Sequence, residues 1–284
     1  MTIPSLTFTL RLAVVWLAMA PAIGMAQLAG PERPTKLDQA TTAPAAAPFV
    51  LHLPGIGGER SLDRMLVHGL ALGGFAHTDT YDWTERDPGL NALLAIRRNQ
   101  AQAKVIARRI TTFARANPGV PIHLIAHSGG TGVAAWALEA LPPDVQVHTL
   151  VLLASALSPD YDLSAALRHV AHKAYAFTSL NDTLVLGAGT RMFGTIDGKK
   201  VEAAGRVGFV VPAGADLKQY DKFTQFHYDP AWMQFDNVGD HIGPMHRRFA
   251  EQVLAPLMLR GQLPPTEPAT RPATSARTPD DVKR

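Results

Sequence analysis

Cysteine is missing from all 284 residues. Its absence excludes disulfides, thiolate metal ligands, a lipid-modified cysteine anchor and a cysteine nucleophile, so any folded region must hold together through its apolar core. A strong excess of one charge is missing too. The 27 Lys and Arg against 24 Asp and Glu leave a formal net charge of +3, and the pairs Arg97-Arg98 and Arg108-Arg109 read as the solvated face of a helix. No nucleic-acid partner is expected on that basis. The amino-terminal apolar run, residues 12–20, is broken by Pro21 and falls short of the roughly 20 residues of a membrane helix. No internal repeat is detectable.

What is present divides the chain into four stretches. Arg11, the apolar core 12–20 and the small residues Ala22 to Ala26 read as a signal peptide over 1–26, cleaved after Ala26. Export to a periplasmic or secreted location follows, with membrane-surface contact only where that segment is retained. Residues 27–48, rich in Ala, Thr and Pro, read as linker, and 261–284 as a Pro-rich tail expected to be disordered. Residues 49–260 are long enough for one well-buried domain.

Within that domain apolar strands alternate with helical patterns. Strands are expected at 49–53, 76–83, 120–125, 145–154 and 174–177, and helices at 61–72, 91–116, 131–141, 163–172 and 245–259. Either 207–211 or 222–227 supplies the last strand. This is the pattern of a mainly parallel sheet with helices on both faces.

The run Val120 to Gly132 carries the chemistry. An apolar strand ends in Ala126-His127-Ser128-Gly129-Gly130, where a serine is confined to a strand-to-helix turn by tiny neighbours. Such a turn lifts the hydroxyl to the carboxyl edge of the sheet, beside the N–H groups of a helix start. A serine hydroxyl needs a base, and the base an acid to orient it. Asp182 follows the 174–177 strand, with Asp160 and Asp162 as competitors. His241 lies in the loop Asn237 to Pro244, with His227 and His246 as competitors. His127 reads as packing beneath the turn and His52 as a core histidine with a possible supporting role. His169 and His172 have the spacing of a helical metal pair but no third ligand, so no metal is expected.

The order Ser, Asp, His, with the turn at 126–130 and the segment Phe49 to Gly58 (FVLHLPGIGG), resembles the α/β-hydrolases over about 49–259. That resemblance implies Ser128 as nucleophile, His241 as general base and acid, and Asp182 as orienting carboxylate. It also implies an oxyanion hole from the N–H groups of Ile56 and Gly129. Pro54 stands where the family often has histidine, which leaves Gly57 as the alternative donor. The space between Ser128 and Asp182 leaves no room for a large cap.

The function implied is an exported carboxylic ester hydrolase, an esterase or lipase working through an acyl-enzyme on Ser128 without any cofactor. Its substrate would be a small-molecule or lipid ester. Phe226, Tyr228 and Trp232 are candidates for a pocket wall or, equally, for core packing. Two other readings stay open: an acyltransferase or peptidase with the same triad, and a non-catalytic binding protein of the same fold.

Overall fold

Successive residues of a strand face opposite sides of its sheet, so a strand buried on both faces must be apolar throughout. The segment Phe49–Leu53 meets that condition and forms β1, with every residue buried. Phe49, Leu51 and Leu53 enter one apolar layer, and Val50 enters the other. The computed structural model describes residues 47–85 and 87–264. The expected signal peptide, most of the linker and most of the tail lie outside the described residues.

Five further strands complete the sheet: β2 (His77–Thr80), β3 (Ile122–His127), β4 (Val147–Leu153), β5 (Val170–Thr178) and β6 (Phe223–His227). All neighbours pair in parallel, in the order β2-β1-β3-β4-β5-β6. Of the two candidates for the last strand, the second forms it. Parallel neighbours require crossovers, and these supply the two helical layers. On one face, α3 (Ile96–Ala116) and α4 (Gly130–Glu139) bury Ile106, Ile110, Val133 and Leu138 against Leu51, Leu124 and Leu150. On the other, α1 (Ser61–Leu72) and a helical stretch formed by Arg247–Phe249, Ala250–Leu254 and Ala255–Arg260 bury Leu66, Leu70, Phe249 and Val253 against Val50, Ile125 and Val151. No helix among the described residues is long and apolar enough to cross a membrane.

Several expected boundaries move, for local reasons. The helix expected at 91–116 is two helices, α2 (Leu90–Leu94) and α3, separated at Ala95. There the buried Asn99 side chain donates to the Ala92 carbonyl at 2.6 Å, offering that carbonyl a partner other than the helix backbone. The helix expected at 163–172 ends early as Ser164–Arg168, which we label α5, because β5 begins at Val170 and pairs with β4. His172 is therefore a strand residue, and His169 binds the Val145 carbonyl through Nδ1 at 2.8 Å. The pair thus loses the helical spacing that suggested a metal. Between Ser128 and Asp182 lie only α4, β4, α5 and β5.

Candidate active site

The turn at Ser128 is built from three constraints. Ser128 has φ of +52°, in the left-handed region that costs a residue with a β-carbon energy. Its backbone is held there from both sides. Its N–H donates to Leu153 O at 3.0 Å, and its carbonyl accepts from Thr131 N–H, Thr131 Oγ1 and Ala156 N–H. Thr131 Oγ1 in turn lies 2.9 Å from Ser155 Oγ. The next two positions crowd any side chain, Gly130 against backbone. A β-carbon on Gly130 would stand 2.3 Å from Pro54 O, and one on Gly129 would stand 2.6 Å from Ile56 Cγ2. The amino end of α4 is thereby pressed against the end of β1.

That close approach places the β1 turn beside the serine. A β-carbon on Gly55 would lie 3.2 Å from Ser128 Cβ, and Ile56 N lies next to Gly129. Among the described residues, neither the Ile56 N–H nor the Gly129 N–H donates to a backbone or side-chain acceptor. The peptide before them is fixed by Trp83, fully buried, whose indole N–H donates to Pro54 O at 2.7 Å. The following carbonyl, Ile56 O, accepts from Gly89 N–H at 2.6 Å. Gly57 N–H likewise has no acceptor, so the hydrogen bonds alone do not choose between Ile56 and Gly57.

Two loops from the other strands complete the cluster. Asp182, 3% exposed, follows β5, and its two carboxylate oxygens are divided between partners. Oδ1 accepts from Leu186 N–H at 3.2 Å, and Oδ2 lies 2.6 Å from His241 Nδ1. His241 Nε2 lies 3.0 Å from Ser128 Oγ. Three of the competing groups, Asp160, Asp162 and His227, are engaged elsewhere. Both oxygens of the exposed Asp160 lie 2.8 Å from Lys199 Nζ, and that lysine holds the carboxyl below its ordinary range. Asp162 accepts from Ser164 N–H and Tyr220 OH. His227 pairs with Thr178 Oγ1 at 2.8 Å.

Three features were not legible as such in the amino-acid order. His127 packs beneath the turn as expected, but its Nε2–H also donates to the His241 carbonyl at 2.9 Å. Burial, with His241 close by, pushes its imidazole down to about 3, so the ring is neutral. His52 is fully buried and paired with Asp63 at 2.8 Å, which links β1 to the first turn of α1. Trp83 holds Pro54 O, and nothing in the local sequence marks that partner 29 residues upstream.

Two of the aromatic candidates, Phe226 and Trp232, make core contacts. Phe226 stacks on Tyr175 and Phe177, with ring centroids 5.9 and 5.3 Å away, and Trp232 packs on Phe177 and Phe249 at 5.6 and 5.4 Å. These are core contacts of the second apolar layer. Tyr228 packs over Gly239 and, with Trp232, Asp182 and Asp240, borders a small cavity whose lining does not include Ser128. No group of three side chains that could hold a metal ion occurs among the described residues.

No family model matches the chain. No curated protein matches it either. Solved structures do. It is similar to a lipase B from Aspergillus fumigatus at 11% identity and a TM-score of 0.47, covering 78% of this chain and 53% of that one. The chain thus spans about half the length of that lipase. It is also similar to Est1E from Butyrivibrio proteoclasticus, at 11% identity and a TM-score of 0.44 over 76% of this chain and 89% of that one. An esterase domain from a Rhodothermus marinus protein aligns at 13% identity and 0.39, over 76% and 87%. With six parallel strands in the order found, helices on both faces and a strained serine at the strand-to-helix turn of a central strand, the described residues form an α/β-hydrolase fold.

Proposed function

We propose that the protein is a serine hydrolase of carboxylic esters, with Ser128 as nucleophile, His241 as general base and acid, and Asp182 as the carboxylate that orients it. The observation that carries this reading is the continuous line Ser128 Oγ, His241 Nε2, His241 Nδ1, Asp182 Oδ2, with separations of 3.0 and 2.6 Å across the ring. Hydrogen-bond reach from nucleophile to base, and from base to orienting acid, is the geometric requirement for such chemistry.

The steps follow from the positions. Ser128 Oγ attacks the ester carbonyl carbon while its proton passes to His241 Nε2. The carbonyl π electrons move to oxygen, and the oxyanion is received by the Gly129 N–H and the Ile56 N–H, both without acceptors of their own. Asp182 stabilises the imidazolium and keeps Nδ1 protonated. Collapse expels the alcohol, which takes the proton from Nε2, and leaves an acyl-enzyme. Water, deprotonated by the same nitrogen, attacks that carbonyl and releases the acid and the free hydroxyl. The signal-like segment 1–26 supports the further reading that this chemistry takes place after export.

The test is hydrolysis of short and medium-chain nitrophenyl esters together with fluorophosphonate labelling. Turnover by the pure protein, with both turnover and label lost in Ser128→Ala, is the expected result. A protein that turns over no ester and labels identically with and without Ser128 ends the proposal.

A further inference from the structure

We propose that His127 is a positioning residue, tying the loop that carries His241 to the turn that carries Ser128 through a hydrogen bond from its Nε2–H to the His241 backbone carbonyl. Its kinetic consequence rests on the hydrolase reading above; the tie itself does not.

Side chains hold the loop through Asp182 on His241 Nδ1 and through the buried Pro244 and Met245, but its backbone is tied to the sheet at few points. Within residues 237–245 the other backbone hydrogen bonds close locally: Asn237 N–H to Trp232 O, Gly239 N–H to Asn237 Oδ1, Gly243 N–H to Asp240 O, Met245 N–H to Ile242 O and His246 N–H to Gly243 O. Among the described residues, its backbone makes one hydrogen bond to a distant element of the sheet, and the partner is His127 at 2.9 Å, 114 residues earlier in the chain. His127 is the last residue of β3 and shares a peptide bond with Ser128. A displacement of the His241 backbone is thereby resisted by the strand that sets the serine.

The chemistry of the ring suits this task. A carbonyl only accepts, so Nε2 carries the proton, and in the neutral ring Nδ1 carries none. Nδ1 faces Gly55, where a β-carbon would stand 3.3 Å away, so the same ring also touches the oxyanion turn. The His127 and His241 rings are 4.8 Å apart between centroids. A cation at His127 would oppose the imidazolium that His241 becomes during turnover, and the buried position of His127, 8% exposed, keeps it uncharged. Asp63 and His52 are the other titratable groups acting on it, and they are paired with each other.

The experiment compares the unaltered full chain with His127→Phe, which keeps a flat ring but no donor, and His127→Gln, whose amide N–H occupies the place of Nε2–H. Hydrogen exchange read by mass spectrometry is expected to rise about tenfold or more across 237–245 in His127→Phe and to return toward the original rate in His127→Gln. In nitrophenyl ester hydrolysis, kcat is expected to fall about 10–100-fold in the Phe variant with KM within about threefold, and to recover in the Gln variant. Unchanged exchange in His127→Phe, or Phe and Gln variants that behave alike, overturns the proposal. If His127→Phe does not fold, nitrogen NMR of the unaltered protein decides: a slowly exchanging proton on His127 Nε2 supports the tie, and a ring protonated on Nδ1 refutes it. If the unaltered protein neither hydrolyses esters nor labels at Ser128, the hydrolase reading falls, and the exchange and NMR results still judge the tie.

Discussion

Asp182 reaches His241 Nδ1 at 2.6 Å from a position that is 3% exposed, with its second oxygen occupied by the Leu186 N–H. The carboxylate is fixed from both ends, and it holds the imidazole in the tautomer that leaves Nε2 free to accept a proton. Asp182→Asn is therefore expected to lower kcat on the order of 10³–10⁴-fold with little change in melting temperature. Asp160→Asn, which alters exposed contacts away from His241, chiefly with Lys199, should change kcat less than about twofold. Kinetics on both variants with one nitrophenyl ester check this, and a larger loss in Asp160→Asn would reverse the assignment.

Trp83 bears on the turn that follows β1. Its indole N–H donates to Pro54 O, the carbonyl two residues before Ile56. Trp83→Phe retains most of the ring but leaves that buried carbonyl without its donor, at a cost of about 1–3 kcal/mol in stability. As the turn loosens, kcat should fall about tenfold while fluorophosphonate labelling at Ser128 persists at a reduced rate. Urea denaturation and labelling kinetics on the same preparation measure the two effects.

Gly130, the first residue of α4, leaves no room for a side chain. In Gly130→Ala the new methyl group would meet Pro54 O at 2.3 Å and Leu53 O at 2.6 Å, backbone atoms at and just after the end of β1. Relief requires the helix to move away from β1, which is expected to cost about 2–3 kcal/mol and to separate Ile56 from Gly129. Denaturant midpoints and ester turnover should fall together, and a fully stable, fully active Gly130→Ala protein would contradict the close approach.

Two buried histidines make stability depend on pH. Burial first, and the neighbouring His148 and His172 next, push His123 down to about 3, and burial with His241 does the same for His127. In the unfolded chain each takes up its proton near pH 6.5, so between about pH 6.5 and pH 3 the unfolded state binds more protons than the folded one. Their contribution is complete above that window and shrinks as pH falls through it, by up to about 1.4 kcal/mol per unit for each histidine. Urea midpoints from about pH 8 to about pH 4 should show the decline. His123→Phe, which puts a second ring against Phe75 and removes one of the two sites, should reduce the slope.

Much of the fold was legible because burial on both faces forces a simple pattern. β1 and β3 are apolar except for histidines, and each histidine proves to be buried: His52 against Asp63, His123 against Phe75 and His127 against His241. Patterns failed where a side chain competed with the backbone, as Asn99 does at the break between α2 and α3. The aromatic candidates Phe226, Tyr228 and Trp232 were ambiguous for another reason. Apolar rings serve a pocket or a core equally well, and only their neighbours Tyr175, Phe177 and Phe249 distinguish the two.

The amino-acid order alone determined what is local: a strand ending in a serine between small residues, helices and strands in alternation, and a short set of histidines and aspartates at loop positions. Short-range sterics and the periods of helix and strand suffice for that. Which carboxylate faces the imidazole, which carbonyl Trp83 and His127 hold, and how near Ile56 comes to Gly129 were decided only by the tertiary structure. Those relations join segments 29 to 114 residues apart, and they arise from the register of parallel strands and the packing of two helical layers, which no short stretch of chain encodes.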